Sequence, residues 1–137
     1  MHNTKAFTLV EILIAVLILT ILAAIVVPQY TNASQDTKLA NLKSSLKSIR
    51  AQLALYRIHH QDTYPTDIRA QLMNKTDIDG IVNPLGEFGP YLLVFPANPF
   101  VDNRVNAVKT GGGGSHGWHY DRNTGVIIAN TLGHKDL

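Results

Sequence analysis

Hydrophobic residues are concentrated near the start of the chain. The nineteen residues 9–27 are apolar except for Glu11 and Thr20. A helix of that length spans roughly 28 Å at about 1.5 Å per residue, close to the hydrocarbon thickness of a bilayer. The run is longer than the apolar part of a secretory signal peptide, and no good small-x-small cleavage site follows it. It therefore predicts an uncleaved membrane helix.

A second hydrophobic pattern follows Pro28. Apolar residues recur at alternating steps of three and four, which predicts one amphipathic helix that continues to about His59. Pro28 lacks an N–H and is expected to loosen this helix rather than end it. The stripe consists of Leu39, Leu42, Leu46, Ile49, Leu53 and Tyr56.

Charge is unevenly distributed over the second part of the chain. Residues 29–60 hold five bases and one acid, a net charge of +4, whereas 61–137 hold six bases and eight acids, a net charge of −2. A basic helix face is more typical of a solvated or packing surface than of nucleic-acid or lipid binding. Opposite charges on helix and head also suit copies that stack in a filament.

The C-terminal part of the chain, 61–137, predicts a small head. Residues 67–73 carry apolar side chains at helical spacing and predict a short helix, and the apolar run 91–95 predicts a buried strand. Two further strands, 118–120 and 126–128, flank a five-residue loop that ends in glycine, a pattern typical of a hairpin.

Together these patterns predict an α+β fold with the shape of a lollipop. The apolar half of the long helix forms a spike. The amphipathic half packs on a small antiparallel sheet of about three strands, because its apolar stripe needs a partner outside the membrane.

Composition and motifs speak against an enzyme. The chain has no cysteine, which excludes disulfides, thiol nucleophiles and cysteine-ligated metals, and its net charge of +2 gives no reason to expect nucleic acid. The glycine run 111–114 lacks the lysine of a phosphate loop, and no G-x-S-x-G occurs. His116 and His119 face opposite sides of a predicted strand. His59 and His60 close the long helix, where we expect capping or surface exposure.

Glu11 does not fit a plain membrane anchor. A carboxylate in an apolar helix costs about 2.5–3.5 kcal/mol on insertion scales. One interpretation is a residue close enough to the interface to stay hydrated. The other is a buried cationic partner, and since no Lys or Arg lies between residues 6 and 37, that partner comes from elsewhere. An N-terminal amine newly created by a cut just upstream would serve.

The stretch from Lys5 to Ala15, KAFTLVEILIA, resembles the N-terminal motif of type IV pilins and type II secretion pseudopilins, with a class III prepilin leader. The resemblance implies cleavage between Ala6 and Phe7 by a prepilin peptidase and N-methylation of Phe7. It also implies assembly roles for Glu11 and Pro28. The family usually has Gly before the cut, so Ala6 implies slower cleavage.

The head resembles the major pseudopilins more loosely. Tyr-Pro-Thr follows the long helix, and Gly-Trp-x-Tyr precedes Asx-x-x-Thr-Gly. The cysteine pair of many type IV pilins is absent. The resemblance implies a calcium ion, for which Asp102, Asn103 and Asp121 are candidate oxygen ligands. The alternative for these residues is ordinary Asx-turn chemistry.

The resemblance implies a structural subunit, not an enzyme. Its parts in chain order are a cleaved leader, 1–6, a membrane and filament-core helix, 7–28, the amphipathic half of the long helix, 29–60, and a globular head, 61–137. The subunit is expected in the inner membrane, with its N-terminus cytoplasmic and its head periplasmic or extracellular. It would form a helical homo-oligomer with minor pilin-like subunits, served by the peptidase, an assembly ATPase and a platform membrane protein.

Three roles stay open at this point. A pseudopilin forms a periplasmic filament that drives protein export. A type IV pilin forms a surface fibre for adhesion, motility or DNA uptake. A membrane-anchored binding module would not polymerise at all.

Overall fold

The computed structural model describes residues 8–101, 106–109, 116–131 and 133–137. The chain divides into two compact units, one that ends at Thr37 and one that runs from Lys38 to Leu137.

A single long helix, α1, runs from Leu9 to His59 and contributes to both units. Pro28 lies inside α1 without ending it, and the helix stops at the predicted residue. The predicted apolar stripe is buried at five of its positions, while Leu39 is half-buried. The buried positions are Leu42, Leu46, Ile49, Leu53 and Tyr56.

A short helix, α2, runs from Ile68 to Met73. The side chain of Asp67 caps it by accepting hydrogen bonds from the amides of Arg69 and Ala70, at 3.1 and 3.0 Å. Ile68 and Leu72 are buried, which confirms the predicted apolar side of this helix.

Three short strands form one sheet in the order β1–β2–β3, with β1 at Val108–Lys109, β2 at Trp118–Tyr120 and β3 at Ile127–Ala129. β2 and β3 pair antiparallel, with Tyr120 opposite Ile127. The predicted hairpin is therefore confirmed, although β3 begins one residue later than expected.

The sheet is mixed rather than antiparallel throughout. β1 pairs parallel to β2, with Val108 opposite Trp118. Residues 110–117 connect the two strands, whereas an antiparallel pair can be joined by a two-residue turn. β1 is only two residues long, so the start of β2 has to lie only a short distance back from the end of β1. A connection of eight residues is long enough to span this distance. The α+β fold class and the number of strands are confirmed, whereas β1 was not predicted and the expectation of an all-antiparallel sheet is wrong.

The predicted strand at 91–95 does not form. The amides of Tyr91 and Leu92 both donate to the carbonyl of Leu72, each at 2.8 Å, whereas successive amides of a strand point in opposite directions. Leu93 and Val94 are largely exposed, and only Leu92 and Phe95 are buried. This apolar run is thus an irregular segment fastened to the end of α2.

The hydrophobic core lies within the second unit, between the buried stripe of α1, α2 and the sheet. Trp118, Tyr120 and Phe95 are its largest members alongside Tyr56. Buried hydrogen bonds satisfy the polar atoms of two of these rings: Trp118 Nε1 donates to the Pro96 carbonyl, and the Tyr120 hydroxyl donates to the Pro65 carbonyl.

Candidate assembly site

The apolar part of α1 has no partner among the described residues of its own unit, 8–37. Every large apolar side chain from Leu9 to Val27 is exposed, with exposed fractions between 51% and 82%. In the described part of the chain, α1 is the one helix long and apolar enough to cross a membrane. A surface this apolar has to be covered by lipid or by other protein.

Glu11 lies in the first turn of α1. Its amide donates to the carbonyl of Thr8 at 3.1 Å and to the Thr8 hydroxyl at 3.2 Å. A threonine three residues before a glutamate is the pattern of a capping box, in which the threonine hydroxyl accepts from this amide. Sequence reasoning found Glu11 but missed Thr8, although the T-x-x-E spacing is the signal that identifies it.

The Glu11 carboxylate has no cationic partner among the residues that the structure describes. The salt bridge found there, Arg57 with Asp62, lies in the other unit. Ala6 and Phe7, the predicted processing residues, lie outside the described residues. The pairing of Glu11 with a new N-terminal amine therefore stays a prediction.

Pro28 changes the hydrogen bonding of α1 locally. Because proline has no N–H, the carbonyl of Ala24 loses its usual donor. The hydroxyl of Thr31 donates to the carbonyl of Pro28 at 2.9 Å. Side-chain bonds of this kind compete with the helix ladder and often bend helices. The helix thus lacks one ladder bond at Pro28, although it continues through this residue.

The candidate calcium ligands are only partly visible. Asp102 and Asn103 lie outside the described residues. The Asp121 carboxylate accepts from the Asn123 amide at 2.9 Å and from the Thr124 hydroxyl at 2.8 Å. These bonds hold the pKa of Asp121 below its usual range, the Asn123 amide contributing most.

Asp121 therefore uses both of its oxygens to close the turn between β2 and β3. Among the residues described, no group of three His, Asp or Glu side chains could hold a metal ion. A calcium site that includes Asp121 stays a prediction.

His60 is buried, which sequence reasoning did not foresee. Its ring is 2% exposed and stacks on Tyr56 at a centroid distance of 3.8 Å. Nδ1 lies 2.8 Å from the Tyr56 carbonyl and Nε2 lies 2.9 Å from the Thr76 hydroxyl. The expected capping of the last helical turn is confirmed, and the expected exposure is wrong for this residue.

The basic side of α1 includes one arginine that is fixed by main-chain oxygens. Arg50 donates to the carbonyl of Ile127 at 3.0 Å and to that of Leu137 at 2.6 Å. Together with Lys43, Leu46 and Lys47 it lines a shallow groove that Leu137 closes. Sequence reasoning identified the basic side but not its attachment to β3.

Comparisons with known proteins agree with the motif in the first helix. Residues 1–27 match the family described as the prokaryotic N-terminal methylation motif. The competence protein ComGC of Bacillus subtilis is 30% identical over 77 residues, 55% of this chain and 79% of that protein. A ComG operon protein 3 homolog of Bacillus licheniformis is 31% identical over 70 residues, 51% of this chain and 70% of that protein. The chain belongs to the type IV pilin and pseudopilin family.

Within this family the chain is similar to members of more than one system. The type II secretion system core protein G of Pseudomonas aeruginosa is 44% identical over 57 residues, 42% of this chain. The match spans 40% of the length of that protein. No solved structure matches the chain significantly. These relatives show a pilin-like structural subunit with an apolar helix suited to a membrane.

Proposed function

We propose that this chain is a pseudopilin: a structural subunit that polymerises into a type II secretion-type periplasmic filament and drives protein export. The observation that carries the proposal is the apolar surface of α1 from Leu9 to Val27, which is exposed at every large side chain. Lipid covers this surface before assembly, and other copies of the same helix cover it afterwards.

The physical basis of assembly is replacement of one apolar environment by another. Each helix leaves the inner membrane and enters a bundle of identical helices, so that hydrophobic burial is exchanged rather than lost. An assembly ATPase and a platform membrane protein supply the work, and minor pilin-like subunits share the filament. The loosened segment around Pro28 lets the helix adapt as it packs.

Glu11 sets the register between copies. In a helix bundle its carboxylate has to be neutralised, because an isolated charge in an apolar medium is strongly disfavoured. Cleavage between Ala6 and Phe7 by a prepilin peptidase creates the amine that pairs with Glu11, in the same or a neighbouring copy. The Thr8 cap fixes the first turn, and so the position from which the Glu11 side chain extends.

Two measurements test this function. The first is the intact mass of the protein from its native membrane, which should show loss of residues 1–6 and gain of one methyl group. The second uses Ile14→Cys, an exposed position in a chain without cysteine, to crosslink copies through the helix. With an added oxidant, one thiol per chain can join only two copies, and we expect this disulfide-linked dimer.

Charge variants at Glu11 make the second measurement specific. Glu11→Gln keeps the size of the side chain and removes its charge, and we expect roughly ten-fold fewer crosslinked copies, equivalent to about 1.4 kcal/mol. Glu11→Asp is the matched control that keeps the charge. If Glu11→Gln leaves the yield of the Ile14→Cys dimer unchanged, the pairing of Glu11 is refuted. If Ile14→Cys gives no dimer in the parent chain, the protein is a membrane-anchored module that does not polymerise.

A surface fibre is the second candidate, favoured by one observation. The two competence-related proteins match over 70% and 79% of their own lengths, against 40% for the secretion protein. Labelling the Arg122→Cys variant with a membrane-impermeant thiol reagent on intact cells distinguishes the two, since Arg122 is exposed in the head. Labelled filaments at native expression favour the fibre. Loss of exported protein on deletion, without surface labelling, favours the pseudopilin.

A further inference from the structure

Charge in the second unit is separated into two segments of opposite sign. Residues 38–50 contain four bases and no acid, and residues 76–101 contain three acids and no base. The acids are Asp77, Asp79 and Glu87, and the stretch 77–87 is called the acidic segment below.

The bases of α1 gather on one face. Lys43, Lys47 and Arg50 stand at positions i, i+4 and i+7, which lie above one another on a helix, and they are called the basic face below. All three residues are exposed, and Arg50 is held by two main-chain oxygens. Neither lysine has an ion pair within the described residues. Like charges at i and i+4 repel, so an anion placed beside the two lysines would stabilise this face.

The acidic segment offers two carboxylates to a partner. Asp77 is engaged, since its Oδ1 accepts from the amides of Asp79 and Ile81 at 3.1 and 2.9 Å. The side chains of Asp79 and Glu87 are exposed. Between them, Leu85 is 90% exposed, so that apolar area lies beside the charges. A surface of this kind, apolar and bordered by charge, is typical of a protein interface.

The two surfaces cannot neutralise each other within one copy. Gly80 of the acidic segment lies against the Tyr56 hydroxyl, and its carbonyl accepts from Gln71 at 2.7 Å. Tyr56 is 13 residues beyond Lys43 and 9 beyond Lys47, which is about 20 and 14 Å along a helix. Exposed charges at these distances are largely screened, because the Debye length is about 8 Å at physiological ionic strength. Arg50 is nearer, at about 9 Å, but two main-chain oxygens already hold it.

We propose that the basic face of one copy binds the acidic segment of the next copy. This deepens the proposed function and rests on it, because it names the contact between heads in the polymer. Two different surfaces that complement each other form a heterologous contact, which repeats without closing and builds a helical filament. For parallel copies, the contact requires a shift of about 14–20 Å along the helix axis, the distance from the two lysines to the level of Tyr56.

The test is crosslinking between two full-length chains with different tags, co-expressed in the native membrane. One carries Lys43→Cys and the other Asp79→Cys, and no other thiol is present because the chain has no cysteine. The matched control replaces Asp79→Cys by Arg122→Cys, which is also exposed in the head. We expect roughly ten-fold more mixed disulfide from the first pair, because contact raises the effective concentration of the thiols.

Charge exchange gives an independent readout. Lys43→Glu with Lys47→Glu should lower the filament yield roughly ten-fold, and adding Asp79→Lys with Glu87→Lys to the same chain should restore most of it. Arg69→Glu with Arg122→Glu reverses two exposed charges away from the basic face and should leave the yield unaltered.

The Ile14→Cys dimer separates failure of this contact from failure of the proposed function. If this dimer forms but the Lys43–Asp79 pair does not exceed its control, the contact is overturned and the packing of the helices stands. If neither forms, both proposals fail. If the double lysine variant assembles normally and instead loses retention on duplex DNA or anionic vesicles, the basic face serves another partner and the contact is overturned.

Discussion

Gly125 lies directly against the aromatic ring of Tyr64. Its backbone has φ +71°, and a Cβ at this position would overlap the ring. The guanidinium of Arg57 lies over the same ring, 4.5 Å from its centroid. The turn between β2 and β3 is thereby packed on the residues that follow α1. A glycine is required here by conformation and by space together.

Replacing Gly125 by alanine should destabilise the head by about 2–4 kcal/mol, because the left-handed backbone and the overlap with Tyr64 each contribute. Gly133→Ala is the matched control, since Gly133 has φ +84° but nothing within 4 Å of its Cβ position. It should cost about 1 kcal/mol, the conformational part alone. The measurement is denaturant unfolding of the full chain in detergent micelles. Equal losses in the two variants would contradict the packing argument.

The long helix could be predicted because its evidence is local. The 3.5-residue stripe from Leu42 to Tyr56 specifies which face is buried, whatever the head contributes, and the structure buries those positions. The hairpin is local in the same sense, since Asp121 and Gly125 close its turn by side-chain and backbone bonds of short range. Patterns of this kind determine their own geometry.

Elements that depend on distant partners could not be predicted. The run 91–95 has the composition of a strand, but its first two amides donate to the carbonyl of Leu72, on another element. His60 is buried because Thr76, sixteen positions later, returns to its ring. The parallel pairing of Val108 with Trp118 is also decided by tertiary contacts rather than by the two residues of β1.

For the candidate site, Glu11 stands out because a lone carboxylate interrupts an apolar run. Its roles in register and assembly stay predictions, since the partner belongs to a processed terminus or another copy. The basic face is visible in the sequence only as an excess of bases over acids in this part of α1. Its distance from the acidic segment requires the fold, because Gly80 has to be placed against Tyr56.

The Thr76 hydroxyl should be essential to the buried histidine. Nδ1 of His60 faces a carbonyl, which only accepts, so Nδ1 carries the proton and Nε2 of the neutral ring accepts from Thr76. Thr76→Val keeps the shape and removes this donor, and we expect a loss of about 1–3 kcal/mol in the free energy of unfolding. Thr76→Ser retains the hydroxyl and should lose less. A smaller effect for valine than for serine would show that the hydrogen bond is unimportant.

Asn98 should be replaceable by aspartate only at low pH. The amide is fully buried; its Nδ2 donates to the Gly117 carbonyl at 2.8 Å and its Oδ1 accepts from the Phe100 amide at 2.9 Å. In Asn98→Asp an ionised carboxylate would face the Gly117 carbonyl, so the neutral acid is favoured in the folded state.

The pKa of the new carboxyl would then be raised by folding. Its stabilising contribution is present below the unfolded value of about 3.9 and is lost as the pH rises through the folded value. We expect Asn98→Asp to melt well below the parent at pH 7 and close to it near pH 3. Asn41→Asp, the same substitution at an exposed position of α1, is the matched control and should show little deficit at either pH. A deficit that does not shrink on acidification would contradict this account.

Buried tyrosines make the head sensitive to alkali. Burial raises the pKa of Tyr91 to about 12, with a smaller contribution from nearby Tyr56. Burial likewise raises the pKa of Tyr120, with a smaller contribution from nearby Tyr64. It also raises the pKa of Tyr56, with a smaller contribution from Asp77. Since the unfolded chain releases these protons near pH 10, the contribution of each ring to stability is complete below that pH. It is lost as the pH rises toward the folded pKa.

Tyr91→Phe should therefore change stability in opposite senses in two pH ranges. At pH 8 the variant loses the hydrogen bond between the Tyr91 hydroxyl and His59 Nδ1, which is 2.9 Å long, and we expect a cost of about 0.5–1.5 kcal/mol. Between pH 10 and 12 the free energy of unfolding of the variant should fall less steeply with pH than that of the parent. The difference in slope corresponds to at most about one proton per molecule, because one titrating ring has been removed. Denaturant unfolding at several pH values measures both effects. Leu93→Ala, two residues away and exposed, should leave the slope unchanged. An equal slope in Tyr91→Phe and the parent would mean that Tyr91 ionises alike in the folded and unfolded chains.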